Sequence, residues 1–159
     1  MELNGTGAIE AKLKQLGIVL PEAAKPVANY VPWVKTGKLV FVAGQIPLKD
    51  GKPQQLGALG AGVSVEQGAA AARLCGINLL AQLKAACDGD LDRVARVVKL
   101  VGFVNCAADF TDIPKVVNGA SDLMVEVFGE AGKHARSAVG APSLPLGVSV
   151  EVEAVVEIK

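Results

Sequence analysis

The sequence predicts an α+β fold: one mixed β-sheet with two helices packed on a single face. Two observations carry this. Apolar residues recur at helical steps in Ser64 to Ala86 and again in Pro114 to Phe128, and each stretch is followed by a return to strand character. Two such crossovers lay two helices on one side of a sheet. Near the end of the chain, Val148, Val150 and Val152 alternate with Ser149, Glu151 and Glu153, a period of two that gives the last strand one apolar and one polar face.

In chain order, Ile9, Leu13 and Leu16 share one face of a short helix over Ala8 to Leu16, which Gly17 can end in a left-handed conformation. Residues 1–26 form an amino-terminal helical extension of a single domain spanning 1–159. After Pro21 and Pro26, the run Val27 to Val34 reads as a strand carrying Tyr30 and Trp33. A second strand covers Lys38 to Gln45, and Lys49-Asp50-Gly51-Lys52 supplies the Asp-Gly turn of a hairpin. Gly44 is either a bulge glycine or a point where a ligand meets the backbone, with its amide as donor. The Gly57 to Gly62 segment is a flexible loop lacking the lysine and hydroxyl of a phosphate loop.

Ser64 and Gln67 form a capping box at the head of the long helix. Its stripe Val65, Ala69, Ala72, Gly76, Leu79, Leu83 and Ala86 is small enough for close approach to a sheet. Asp88-Gly89-Asp90 closes the helix as a turn. The nearly unbroken apolar run Val94 to Val104 predicts a strand buried on both faces in the middle of the sheet. Thr111 or Asp112 caps a second helix starting near Pro114 and stopped by Gly129; Asn118, Asp122 and Glu126 lie on its polar side.

Sixteen basic residues cancel sixteen acidic ones with no run of either sign, so no footprint for nucleic acid or an anionic membrane is visible. No apolar run approaches the roughly twenty residues that span a bilayer, and the amino terminus lacks the unbroken apolar core of a signal peptide. The chain is 51% hydrophobic with a mean hydropathy of +0.40, a surplus that predicts an oligomer interface. Cys75, Cys87 and Cys106 sit in apolar segments as reduced core thiols would, which fits a cytoplasmic protein. His134 has no companion cluster that would make it a metal ligand.

Chemistry concentrates in His134 to Glu153. Arg136 lies among short side chains that leave its planar five-donor fork accessible, suiting a carboxylate or phosphate. Glu151 and Glu153 point the same way from the last strand. If the two strands pair, an anion-binding arginine and a proton-handling carboxylate face one cleft. The same three residues also fit a solvated strand face with a surface ion pair.

The blocks Ala-Arg-Ser-Ala-Val-Gly (135–140), Val-Glu-Val-Glu-Ala (150–154) and Lys-Leu-Val-Phe-Val-Ala-Gly-Gln-Ile-Pro (38–47) resemble the signature of the RidA family, the YjgF-like proteins first called endoribonuclease L-PSP. The resemblance runs from about Asn29 to the end. It implies a chorismate-mutase-like subunit and a homotrimer with clefts between subunits. It implies an enamine/imine deaminase that hydrolyses 2-aminoacrylate-derived 2-iminoacids to 2-oxoacids and ammonia, with no metal and no organic cofactor. Arg136 and Glu151 are the implied catalytic residues, Glu153 being the alternative carboxylate. Tyr30, Gly44, Asn118 and Ala138 are the implied substrate contacts. Ala43 stands where many members carry a hydroxyl, and Ala138 where many carry a cysteine. The alternative is a trimeric, non-catalytic binder of small carboxylates such as 2-oxoacids.

Overall fold

Local chemistry sets the elements, and the computed structural model describes them over residues 7–26 and 28–159. Residues 1–6 of the expected extension, and Val27, where the first strand was expected to begin, lie outside the described residues. Helix α1 spans Ala8–Gln15 and ends as expected, with Gly17 at φ +71°. Strand β1 covers only Trp33–Thr36, and β2 covers Leu39–Gln45. Asp50 and Gly51 both take positive φ and turn β3 (Leu48–Lys49) back on β4 (Lys52–Pro53). The glycine-rich loop holds two short strands, β5 (Ala58–Leu59) and β6 (Gly62–Val63), paired in parallel.

Helix α2 runs over Val65–Ala86. Both halves of its capping box form, with Gln67 N donating to Ser64 Oγ and Ser64 N donating to Gln67 Oε1. Strand β7 follows at Val94–Asn105, then α3 (Ile113–Phe128), β8 (Ala135–Ala141) and β9 (Val150–Ile158). Pro114 sits in the first turn of α3, Asp112 is its N-cap residue without a side-chain cap bond, and Gly129 ends it at φ +63°.

The five-stranded sheet has the order β1-β2-β9-β7-β8. Only β7 and β8 pair in parallel; the other pairs are antiparallel. Because β2 and β7 both run against β9, they are parallel to each other. Helix α2 therefore crosses from β2 to β7 and α3 from β7 to β8, the two expected crossovers on one face. Strand β9 alternates buried and half-exposed residues along most of its length, as its period predicts. The core lies between this sheet and the helices, with Leu79, Leu83, Leu100, Leu123, Val152 and Val156 fully buried.

Two expectations are corrected. The long apolar strand is buried on one face only, and the central strand is β9. Val97, Leu100 and Val104 lie under the helices, while Val98 and Lys99 are exposed and two register shifts interrupt the alternation. The run is apolar because Val101 and Phe103 stand on its second face, the open side that Val34, Phe41 and Val139 of other strands share at 51%, 45% and 44% exposure, with the carboxylates of Glu151 and Glu153 among them. The small residues of α2, second, serve α3 at least as much as the sheet. A side chain on Gly76 would meet Leu123 Cδ2 at 2.8 Å, and one on Gly119 of α3 would run into the Ala69 carbonyl. Asn118 sits beside that close helix contact, which fixes its height above the sheet.

Candidate functional site

Arg136 lies on the edge strand β8, opposite Leu100 of β7. Partners in a ladder share a face, and Leu100 is fully buried under the helices. The guanidinium therefore rises toward α3, where Asn118 and Ser121 wait one turn apart. Arg136 Nη1 donates to Asn118 Oδ1 at 2.8 Å and to Ser121 Oγ at 3.1 Å. Both protons of that nitrogen are thereby used. The N–H groups of Nε and Nη2 make no hydrogen bond among the described residues, so the edge suited to bidentate carboxylate binding is open. Ala138, two residues on, shares this face opposite Gly102 and is half-buried.

Glu151 belongs to another neighbourhood. It sits on β9 opposite Phe103, and Glu153 sits opposite Val101, so both carboxylates point to the open face. Strands β8 and β9 do not pair, because β9 inserts between β2 and β7 and leaves β7 between them. One chain thus puts Arg136 and Glu151 on opposite faces of the sheet, and the expected cleft formed by pairing of these two strands is corrected. The segment between the strands, with a 3-10 turn at Pro145–Gly147, carries the chain to the other side of β7.

What one chain does bring together is Glu151 and Gly44. The β2–β9 register shifts between Val42 and Gln45, so Gly44 sits at a bulge. A Cβ there would stand 2.6 Å from Glu151 Oε1. The bulge reading of this glycine holds, and the protein's own Glu151 carboxylate uses the space it leaves. Burial pushes the Glu151 carboxyl above its ordinary range, and the nearby Glu153 adds to the rise. No donor bonds it among the described residues.

Gly44 also lines a cleft of about 290 Å³ with Tyr30, Pro32, Ala43 and Leu146. Tyr30 is 55% exposed in a bend, not in the expected strand; Pro32, between it and Trp33, lacks the N–H that a ladder would use. The extension supplies a further wall through Ala24, Lys25 and Pro26, pinned by a 2.7 Å bond from Gln82 Nε2 to Ala24 O.

The site residues therefore fall into two groups, Arg136, Asn118 and Ala138 at one sheet edge and Tyr30, Gly44 and Glu151 toward the other. Ser121, Lys25 and Leu146 are additions that the sequence did not reveal. For Ser121 a signal existed, since it follows Asn118 by three residues and so shares its helical face. His134 is hydrogen-bonded through both ring nitrogens, to Ser121 Oγ and Gly132 O. Cys75 and Cys87 are buried as core thiols and Cys106 is half-buried. Among the described residues no group of three His, Cys, Asp or Glu could hold a metal ion, and no helix is long and apolar enough to cross a membrane.

Comparison with known proteins agrees with the fold. Residues 10–158 match the family described as "YjgF/chorismate mutase-like, putative endoribonuclease". Protein TCP17 of Trypanosoma cruzi is 50% identical over 159 residues, covering 99% of each chain. The crystal structure of an Agrobacterium tumefaciens protein of unknown function superposes with a TM-score of 0.89 at 49% identity, covering 95% of this chain and 92% of that one. A Shewanella oneidensis protein bearing the same endoribonuclease label gives 0.92 at 39% identity, over 96% of this chain and all of the other. By sequence blocks, fold and these relatives, the chain belongs to the YjgF/RidA family.

Proposed function

We propose that the protein is a homotrimeric enamine/imine deaminase that hydrolyses 2-iminoacids to 2-oxoacids and ammonia. The observation that carries this reading is Arg136: one nitrogen is locked to α3 by Asn118 and Ser121, and its outer edge is left for a carboxylate. The apolar open face supports assembly, because Val34, Phe41 and Val139 stay exposed in a single chain. On this reading the arginine group of one copy and the tyrosine–glutamate group of another complete a cleft that neither holds alone.

In the reaction, the Nε/Nη2 edge of Arg136 holds the substrate carboxylate and the Gly44 amide offers a further donor. Glu151 takes a proton from water as the oxygen bonds to the imine carbon. That proton is handed to the imine nitrogen as the C=N π pair moves onto it, giving a carbinolamine; Glu151 then moves the hydroxyl proton to the amine, the C–N bond breaks, and ammonia leaves as the carbonyl forms. A carboxyl raised by burial is matched to both halves of this exchange. Tyr30 and Ala138 line the cleft, and the imine carbon is electrophilic without a cofactor.

The test is ammonia and 2-oxoacid release when a dehydratase generates a serine-derived enamine in place. Acceleration by the wild-type protein, absent in Arg136→Ala and strongly reduced in Glu151→Gln, is expected. Release no faster than the spontaneous rate, from an intact oligomer, would overturn the enzyme reading. The second reading, a carboxylate-binding protein without turnover, is favoured by Ala43 and Ala138, which remove a hydroxyl and a thiol from the lining. It predicts 2-oxoacid binding and no rate. A ribonuclease role fits a chain of zero net charge poorly.

A further inference from the structure

Behind Arg136 a line of hydrogen bonds runs back to the main chain. His134 Nδ1 lies 2.6 Å from Gly132 O, His134 Nε2 lies 2.9 Å from Ser121 Oγ, and that hydroxyl lies 3.1 Å from Arg136 Nη1. A carbonyl oxygen can only accept, so the proton of the imidazole sits on Nδ1. In the neutral ring Nε2 is then an acceptor, and the single Ser121 proton is directed to it. The hydroxyl presents only lone pairs to the arginine. Each bond's direction follows from the one before it, starting from a carbonyl that cannot reverse.

That carbonyl is firmly placed. Gly132 closes a 3-10 turn over Gly129–Gly132, and any side chain there would collide with the Met124 carbonyl of α3. The turn, His134 and Ser121 thus form one rigid bracket between α3 and the start of β8.

We infer that His134 and Ser121 are positioning residues for Arg136. The imidazole, held as its Nδ1–H form, orients the Ser121 hydroxyl so that the guanidinium turns its Nη1 side to α3 and its Nε/Nη2 edge outward to a carboxylate. A long arginine side chain at an exposed strand edge otherwise samples many rotamers, and fixing it beforehand removes that cost from ligand binding. The inference rests on the reading of Arg136 as the carboxylate-binding residue, and its ligand class is the same, a small 2-oxo or 2-imino acid.

His134 is the sole histidine in the chain, so its ring nitrogens can be read by ¹⁵N-resolved imidazole NMR of the whole protein without assignment. The expected spectrum at pH 7.5 has a protonated Nδ1 and an unprotonated, hydrogen-bonded Nε2. A ring protonated at Nε2 would overturn the inference, whatever the variants do. In parallel, 2-oxobutyrate binding is measured by calorimetry alongside each variant's Tm. Ser121→Ala and His134→Ala are expected to weaken binding about tenfold, while Ser121→Thr and His134→Gln, which keep an acceptor in place, stay within about threefold of wild type. Wild-type binding that vanishes in Arg136→Ala but is unchanged in Ser121→Ala and His134→Ala would overturn the positioning role alone. No wild-type binding would overturn the carboxylate reading, and the positioning role with it.

Discussion

The two charged groups at the candidate site are held by opposite means. Arg136 is tied through hydrogen bonds to Asn118 and Ser121. Glu151 has no donor among the described residues and is placed by packing over Gly44, in the space a side chain would fill. The difference follows from what each group is. A guanidinium stays charged in any protein environment, so bonds can fix it without altering its chemistry. Every donor to a carboxylate lowers its pKa, whereas desolvation raises it. On the proposed function Glu151 passes a proton, a task better served by placement through shape than through hydrogen bonds, and burial does push its carboxyl upward.

The strongest way to break this comparison is to separate the halves. Phe41→Asp puts a charge in the open apolar face; a chain that sediments as a monomer, with native circular dichroism and no deaminase activity, is expected. Full activity from a monomer would show that the halves need not meet across copies. Arg136→Lys keeps the charge but loses the planar fork, and a fall in kcat/KM on the order of a hundredfold is expected from steady-state rates with a dehydratase-generated substrate. Gly44→Ala strikes the other half. The added methyl displaces Glu151, and a drop in kcat of at least about tenfold is expected while 2-oxobutyrate affinity stays within about twofold. Equal losses in both would mean the two groups are not separable.

The smallest effect is on stability. Because the Glu151 carboxyl is raised in the folded state, that state holds the proton more tightly than the unfolded chain does. Stability is full below the ordinary carboxylate range and falls as pH climbs through the raised value. Glu151→Gln does not ionise. Its Tm should exceed wild type by about 1–2 °C at pH 8, a modest gain because the side chain is only half-buried, and the gap should close near pH 4.

Features written in adjacent residues were legible in the sequence. The Ser64–Gln67 capping box, the Asp50-Gly51 turn, the stops at Gly17 and Gly129, and the two crossovers each follow from local chemistry. What was not legible depends on distant pairing. Nothing between Pro142 and Ser149 states that β9 will insert beside β2 and not beside β8, so the separation of Arg136 from Glu151 within one chain cannot be read from the residues. The second face of β7 is not legible either, because an apolar run looks the same whether helices or another surface will cover it. Ser121 reads in the sequence as one polar residue on a helix; its partners come from strand β8 and the segment before it.

Helix α1 is eight residues long, too short to hold in water alone. Its first amides, Ala8 N and Ile9 N, donate to the Asp92 carboxylate more than eighty residues away, and Glu10 pairs with Lys84 at 2.9 Å. The helix is therefore held by the far end of α2 and by the turn that leads into β7. The same extension walls the cleft at Ala24 to Pro26. A helix held to the domain by these few bonds opens more readily than the core it leans on, and amide hydrogen exchange over residues 8–16 should run ahead of that in α2 and β9.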